Sequence, residues 1–151
     1  MYERILLPTD GSDTMLDVVE HAVSLAEIHD ATLHVLYVVN TASVSDLPLE
    51  SSWEGLRHAL EREGTAALED VERTVEQRAT DVDLRTDLAE GSPSREIVRY
   101  ADQQDCDVVV MGTHGRSGFD KLLLGSVAER VVRSSNVPVL TIRVRKNSDG
   151  E

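Results

Sequence analysis

The chain has 151 residues, of which 40% are hydrophobic, so it can form one globular domain with its own core. Its 15 basic and 28 acidic residues give a formal net charge of −13, which disfavours binding to DNA or RNA. No apolar run is long enough to span a membrane and the start resembles no export signal, so we expect a cytoplasmic protein without membrane contact.

Hydrophobic patterns predict five strands and four helices in alternation. The predicted strands are residues 3–9, 31–39, 82–88, 106–112 and 137–144, and the last helix begins near Ser126. Such alternation predicts parallel strands joined by right-handed crossovers. The third strand alternates apolar and charged residues, which places it at a sheet edge. We therefore expect a single-domain α/β fold over residues 1–145, with a Rossmann-like doubly wound sheet of order 3-2-1-4-5, and a polar tail at 146–151.

Two segments of the chain follow the strands that this order places at the centre. In order 3-2-1-4-5 the first and fourth strands are neighbours whose connections leave toward opposite faces of the sheet. Ligands bind outside the carboxyl ends of strands at such a switch point. The segments there are PTDGS, which starts at Pro8, and the glycine-rich stretch MGTHGRSGFDKLLLGS, which runs from Met111 to Ser126.

The glycine-rich stretch predicts a site for phosphate groups. Gly112 and Gly115 follow the fourth strand, and Gly125 and Ser126 precede the fourth helix. Glycine leaves backbone N–H groups uncovered and tolerates positive φ angles, and a helix N-terminus adds a partial positive charge. A flexible surface loop is the alternative interpretation, and Ser126 with Glu129 fits a capping box equally well.

The remaining sequence predicts no catalytic residue. Neither the Walker motif nor the dinucleotide motif GxGxxG is present. No cysteine or serine nucleophile pairs with His114 in a recognisable pattern, and the other histidines lack the spacing of metal ligands. The single cysteine, Cys106, opens a strand and is expected to be a buried, inert thiol. A phospho-accepting receiver domain would need clustered acids after the first strand, an aspartate after the third and a lysine after the fifth. Here the first strand offers only Asp10 and the fifth ends in arginines, so we set this interpretation aside.

The pattern G-x2-G-x9-G-S, formed by Gly112, Gly115, Gly125 and Ser126, resembles the nucleotide-binding signature of the universal stress protein family. The segments ILLPTDGS, LHVLYVV, DVVVMGTHG and NVPVLTIR carry the same resemblance, which covers nearly the whole chain. It implies an adenine nucleotide alpha hydrolase-like fold and the ATP-binding branch of the family.

The resemblance also implies roles for individual residues. Pro8, Thr9 and Asp10 would face the ribose and adenine, Val38 would pack on the adenine ring, and Ala89 would line the same pocket. Met111 would touch the nucleoside through its backbone; Gly112, Gly115, Gly125 and Ser126 would hold the phosphates, with Arg116 as a further donor. Taken alone, Asp10 is better explained as a turn residue or helix cap, and Val38 and Met111 as core residues.

The function implied by the resemblance is that of a nucleotide-dependent regulatory protein in a stress response. Its ligand would be ATP with Mg²⁺ or Mn²⁺, and an unidentified protein partner would read the ATP-bound state. The fifth strand, from Val137 to Val144, would join two copies in a homodimer, since an apolar edge strand tends to be covered. The alternative is a slow ATPase or a self-phosphorylating protein. AMP and cyclic nucleotides also remain open as ligands, although two phosphate anchors favour a polyphosphate.

Overall fold

Strands and helices alternate along the chain as the sequence predicts. The computed structural model describes residues 1–41, 50–78, 81–113 and 124–144. In chain order the elements are β1 (Arg4–Pro8), α1 (Met15–His29), β2 (Thr32–Asn40), α2 (Glu50–Gln77), β3 (Leu84–Gly91), α3 (Pro93–Gln103), β4 (Val108–Gly112), α4 (Ser126–Ser134) and β5 (Val139–Ile142). The predicted polar tail lies outside the described residues.

The strands form one parallel sheet of order β3-β2-β1-β4-β5, which confirms the predicted fold. β1 is central, and its neighbours are β2 and β4. β3 lies at one edge, and residues in its first half alternate between half-buried and exposed, as its alternating sequence predicts. β5 forms the other edge and pairs with β4.

β5 is shorter than the predicted strand, because other hydrogen bonds replace the ladder at both of its ends. Before β5, the Ser135 hydroxyl lies 2.7 Å from the Val137 carbonyl oxygen and 3.1 Å from the Val137 amide. After β5, the Val144 N–H donates to the side-chain oxygen of Thr113 at 3.1 Å. The predicted strand therefore consists of a local turn at its start, β5 itself, and a residue held by a side-chain contact at its end.

Apolar side chains cover both faces of the sheet. One cluster lies between the sheet and the helices α1 and α2, and it includes Ile5 and Leu7 of β1. The second cluster lies between the sheet and the helices α3 and α4, and it includes Leu6, Leu36 and Val109. Burial on two faces explains why the central strands read as continuous apolar runs. We call these clusters the α1/α2 cluster and the α3/α4 cluster.

The long helix α2 approaches the sheet closely at Gly64. A Cβ atom at Gly64 would lie 2.6 Å from Cδ1 of Tyr37 and 2.7 Å from Cδ1 of Leu88, closer than real Cβ atoms come to their neighbours. Glycine therefore allows the helix to pack against β2 and β3. Gly55 on the same helix differs, because nothing lies within 4 Å of its Cβ position.

Candidate functional site

Those predicted site residues that the structure describes lie toward the carboxyl ends of the strands β1 to β4 and at the start of α4. β1 ends at Pro8 and leads to α1, which packs on one face of the sheet. β4 ends at Gly112 and leads to α4, which packs on the opposite face. Because these connections diverge, they leave a crevice outside the strand ends, which is where α/β proteins bind ligands.

The turn after β1 is held by the side chains of Thr9 and Asp10. The Thr9 side-chain oxygen accepts from the Gly11 amide at 3.2 Å, and Asp10 Oδ1 accepts from the Ser12 amide at 2.9 Å. Gly11 has a φ of 76°, in the left-handed region that glycine favours. The Thr9 amide donates to the Leu36 carbonyl at 2.9 Å and ties the turn to β2. Asp10 thus has the turn role that the sequence left open.

Apolar residues from three strands meet on the α3/α4 face near the same edge. Val38 of β2 and Ala89 of β3 are register partners, so they lie side by side on adjacent strands. Both pack against the α3/α4 cluster, and Met111 of β4 is buried within it. Next to Ala89, Glu90 accepts two hydrogen bonds from Arg57, at 2.9 and 2.8 Å, which tie the end of β3 to α2. The sheet therefore brings together Val38, Ala89 and Met111, three of the residues assigned to the nucleoside.

A backbone hydrogen bond brings together two parts of the glycine motif. Gly112 is the last residue of β4 and pairs with Ile142 of β5. The amide of Gly125 donates to the carbonyl oxygen of Thr113 at 2.5 Å, so Gly125 lies beside the residue that follows Gly112. Gly115 and Arg116 lie outside the described residues, as does His114. The described part of the motif thus places the end of β4 next to the start of α4.

The capping box expected at Ser126 and Glu129 is wrong, because α4 begins one residue earlier than that motif requires. Gly125 is the N-cap residue and Ser126 is the first helical residue, with no side-chain hydrogen bond at the cap. The Glu129 side chain instead accepts from Arg133 at 2.6 Å. The capping alternative for Ser126 is therefore excluded, and its exposed hydroxyl lies at the start of the helix.

Among the described residues near the end of β4, the backbone amides at the start of α4 are suited to bind an anion. The Glu129 amide makes the first intrahelical bond, to the Gly125 carbonyl at 2.9 Å. The amides of Ser126, Val127 and Ala128 precede that bond, so they have no acceptor within the helix, and the helix dipole adds positive charge there. Gly125 differs from the expectation for glycine, because its own amide is bound to Thr113 and its φ of −68° suits any residue.

Three residues of this edge have structural roles that the sequence patterns did not predict. Leu124 and Val127 pack against the α3/α4 cluster that also holds Met111. Thr113 is only 7% exposed and bonds to β5 as well as to Gly125. Thr113 occupies an unspecified position of the pattern G-x2-G-x9-G-S, and Val127 follows that pattern. Their only sequence signal is therefore that they adjoin Gly112 and Ser126.

A polar network under α3 lies away from the carboxyl edge. His34, near the beginning of β2, is 4% exposed, and its Nδ1 lies 3.0 Å from the Tyr100 hydroxyl, which donates to Asp87 at 2.5 Å. Burial, and secondarily the charge of Arg85, lowers the pKa of His34 below its usual value. Burial and the bond to Asp87 raise the pKa of Tyr100. The folded protein therefore favours a neutral His34 held by a protonated tyrosine.

A depression on the outer side of α2 is not part of this edge. Its volume is about 400 Å³, and one helix supplies all of its lining: His58, Glu61, Arg62, Thr65, Ala66 and Glu69. A groove with walls from a single helix is too open to bury a ligand in the way that small-molecule sites do. Across the described ranges, no three His, Cys, Asp or Glu side chains cluster as metal ligands. Nor does any helix there have the length and apolarity needed to cross a membrane.

Known proteins resemble this chain over almost its whole length. Residues 1–143 match the model of the Universal stress protein family. A universal stress protein of Methanocaldococcus jannaschii is 40% identical over 146 residues, which cover 97% of this chain and 85% of that protein. The solved structure of hypothetical protein MJ0577 has a TM-score of 0.85 and 30% identity, over 98% of this chain and 99% of that one. A universal stress protein crystallised in complex with cAMP has a TM-score of 0.70 and 26% identity, over 95% and 98%.

Proposed function

This chain belongs to the universal stress protein family, and from that premise we propose that it is a regulatory protein that binds ATP at the carboxyl edge of its sheet. The supporting observation is the order of the candidate residues along that edge. Val38 lies on β2, Asp10 follows β1, and Gly112 ends β4. Adjacent strands are about 4.8 Å apart, so β2 and β4 are separated by roughly 10 Å. An adenine nucleotide laid across the strands would meet them as base, ribose and phosphates.

The apolar side chains at β2 and β3 suit the adenine ring. Val38 and Ala89 are neighbouring, half-buried residues on the same face, and they offer an apolar surface without a charge. Met111 is buried, so it would contact the nucleoside through its backbone. Pro8 and Thr9 shape the floor beneath the ribose. Asp10 would accept a hydrogen bond from a ribose hydroxyl in addition to the one it accepts from Ser12.

The phosphates would lie between the end of β4 and the start of α4. Gly112, Gly115 and Gly125 carry no side chain that would obstruct a phosphate chain, and Ser126 would offer an amide and a hydroxyl. Arg116 would add a positively charged donor. The end of β4 and the start of α4, which the bond from Gly125 to Thr113 joins, would form two phosphate-binding positions. Two such positions suit a chain of phosphates better than the single phosphate of AMP or cAMP. The relative crystallised with cAMP makes these two nucleotides the competitors to test.

We propose that Mg²⁺ or Mn²⁺ accompanies the ATP. Such ions prefer oxygen ligands, and Mg²⁺ usually binds through one or two carboxylates together with phosphates and water. Asp10 is the carboxylate among the candidate site residues, and it follows β1 at the same edge. As an alternative to its contact with the ribose, Asp10 would therefore hold the cation together with the phosphate oxygens.

The test is to identify and then titrate the nucleotide. Mass spectrometry of the small molecules released by denaturing the purified protein should detect ATP. Calorimetric titration should give a lower dissociation constant for ATP than for AMP or cAMP. Gly125→Val should fold, because its φ and ψ of −68° and 163° suit valine, but its side chain should obstruct the phosphates and weaken ATP binding at least about tenfold. Wild-type protein that does not bind ATP would contradict the proposal.

The same variant separates binding from catalysis. The alternative function is a slow ATPase or a self-phosphorylating protein, with Ser126 as one possible acceptor. If the protein is such an enzyme, phosphate release or label incorporation at limiting ATP should fall in Gly125→Val in proportion to the loss of ATP affinity. Turnover at limiting ATP that is equal in the wild type and in this variant would come from a contaminant.

We also propose that β5 mediates a homodimer. β5 forms an edge of the sheet, and Leu140 on it is 42% exposed. Two copies related by a two-fold axis could pair these edges from Val137 to Val144, which would cover Leu140 and the unpaired backbone groups. Light scattering at micromolar concentration should give the mass of a dimer. Leu140→Arg should give monomers, whereas Ile28→Arg, at a 77% exposed position on α1, should leave the dimer intact; a monomeric wild-type protein would contradict the proposal.

We further propose that the protein acts in the cytoplasm through an unidentified protein partner. A partner can respond to ATP only if it binds the ATP-bound and the empty forms with different affinity. Capture from cell extract with ATP-loaded wild-type protein, compared with Gly125→Val, should enrich a protein only in the first case. Identical captured proteins would contradict an ATP-dependent partner.

A further inference from the structure

Thr113 connects the glycine motif to the edge strand β5. Its amide donates to the Ile142 carbonyl at 2.9 Å, and its side-chain oxygen accepts from the Val144 amide at 3.1 Å. Its carbonyl accepts from the Gly125 amide at 2.5 Å. Thr113 is also among the few buried polar residues in the described part of the chain. A single residue thus holds the end of β4, the end of β5 and the start of α4.

We propose that Thr113 is a positioning residue that couples nucleotide binding to the ordering of the end of β5. This inference rests on the proposed nucleotide site. The carbonyl of Gly112 and the amide of Thr113 belong to one rigid peptide unit. A phosphate that restrains Gly112 therefore also restrains the bond from Thr113 to Ile142. In the same way, a phosphate that restrains the start of α4 restrains Gly125 and its bond to the Thr113 carbonyl.

The Thr113 hydroxyl carries this restraint to Val144. β4 ends at Gly112 and β5 at Ile142, so the amide of Val144 lies beyond the last paired residues of the ladder. The Thr113 side chain provides the acceptor that the ladder does not. The Val144 side chain packs against the α1/α2 cluster, so this bond also holds an apolar contact in place. A serine would keep the acceptor, whereas a valine of similar shape would remove it.

The coupling has to act in both directions. If ATP strengthens the hydrogen bond to Val144, loss of that bond must weaken ATP binding by the same factor. Coupling between sites commonly amounts to about 5- to 150-fold. Because Val144 is reached through one side chain, we expect the lower part of that range. Thr113→Val should therefore raise the dissociation constant for ATP about 5- to 10-fold.

The experiment measures amide hydrogen exchange of Val144 by NMR, with and without saturating ATP and Mg²⁺. In the wild type and in Thr113→Ser, ATP should slow this exchange about 5- to 10-fold. In Thr113→Val the exchange should be fast and insensitive to ATP. Thr86→Val, which makes the same substitution at a half-buried position on β3, is the matched control and should behave as the wild type in both exchange and ATP affinity.

Each outcome can be assigned to one of the two proposals. If calorimetry shows ATP binding to the wild type but Val144 exchange does not respond, the coupling is refuted while the nucleotide site stands. A folded Thr113→Val variant that binds ATP as tightly as the wild type also refutes the coupling. If the wild type does not bind ATP, the proposed function and the coupling both fail. Should Thr113→Val not fold, the comparison of wild type, Thr113→Ser and Thr86→Val decides.

Discussion

Replacing Ser126 by proline should weaken ATP binding far more than replacing it by alanine. Ser126 is the first residue of α4, the helical position that proline favours. Gly125 before it has a ψ of 163°, which is the extended conformation required of a residue before proline. Ser126 is exposed, so we expect the ring to be accommodated. Ser126→Pro thus removes the amide and the hydroxyl and keeps the helix, whereas Ser126→Ala removes the hydroxyl alone.

The two variants together isolate the contribution of one backbone amide. A hydrogen bond to a charged group contributes about 1.5–3 kcal/mol. Since 1.4 kcal/mol corresponds to a tenfold change in affinity, the dissociation constant for ATP should be about 10- to 150-fold higher in Ser126→Pro than in Ser126→Ala. Calorimetric titration with ATP and Mg²⁺ measures this ratio, and circular dichroism melting verifies that both variants are folded. Equal dissociation constants in two folded variants would refute the argument that amides at the start of α4 hold the phosphates.

Three further predictions concern the folded structure. Burial holds the pKa of His34 below 6.5, so His34 is protonated in the unfolded chain first as the pH falls. Stability that is present at pH 7 is therefore lost as the pH falls below 6.5 toward the lowered pKa of the folded state. The urea midpoint should drop more between pH 7.5 and 5.5 in the wild type than in His34→Gln, and equal drops would contradict this. Gly64→Ala should reduce the free energy of unfolding by up to about 2 kcal/mol, because overpacking against Tyr37 costs about 1–3 kcal/mol and helix propensity returns about 1. Gly55→Ala has open space and should increase the free energy of unfolding by up to about 1 kcal/mol in the same urea titration; the opposite order would contradict the close approach of α2. Burial raises the pKa of Cys106 to about 11, so iodoacetamide at pH 8 should label the native protein only as it unfolds, and rapid labelling would be inconsistent with a buried thiol.

The fold could be predicted because the composition of each strand indicates whether one or both of its faces are buried. The apolar runs around Leu6 and Val109 require cover on both faces, which places them at the centre of the sheet. The alternation from Val82 to Leu88 requires one wet face, which places β3 at an edge. These are local signals, and the structure confirms the order that they predict.

The details of the site depend on contacts that no local pattern contains. The capping box failed by one residue, because Gly125 takes the cap position and Glu129 pairs with Arg133. The role of Thr113 depends on how β4 and β5 are aligned, which brings Val144 to its hydroxyl. The network of His34 and its tyrosine partner likewise joins residues that are distant in sequence. Sequence reasoning therefore locates the candidate site at the carboxyl edge of the sheet. Strand register and packing decide which atoms at that edge are available to a ligand.

The parallel arrangement places the start of β1 and the end of β5 on opposite sides of the sheet. β1 begins at the amino edge of the sheet and β5 finishes at the opposite edge, beside Thr113. An affinity tag or fluorescent fusion placed before residue 1 would leave the molecule about one strand length, roughly 17 Å, away from the crevice. The same fusion placed after residue 144 would emerge next to it. The first position suits unperturbed titrations, and the second suits a reporter intended to sense the ligand.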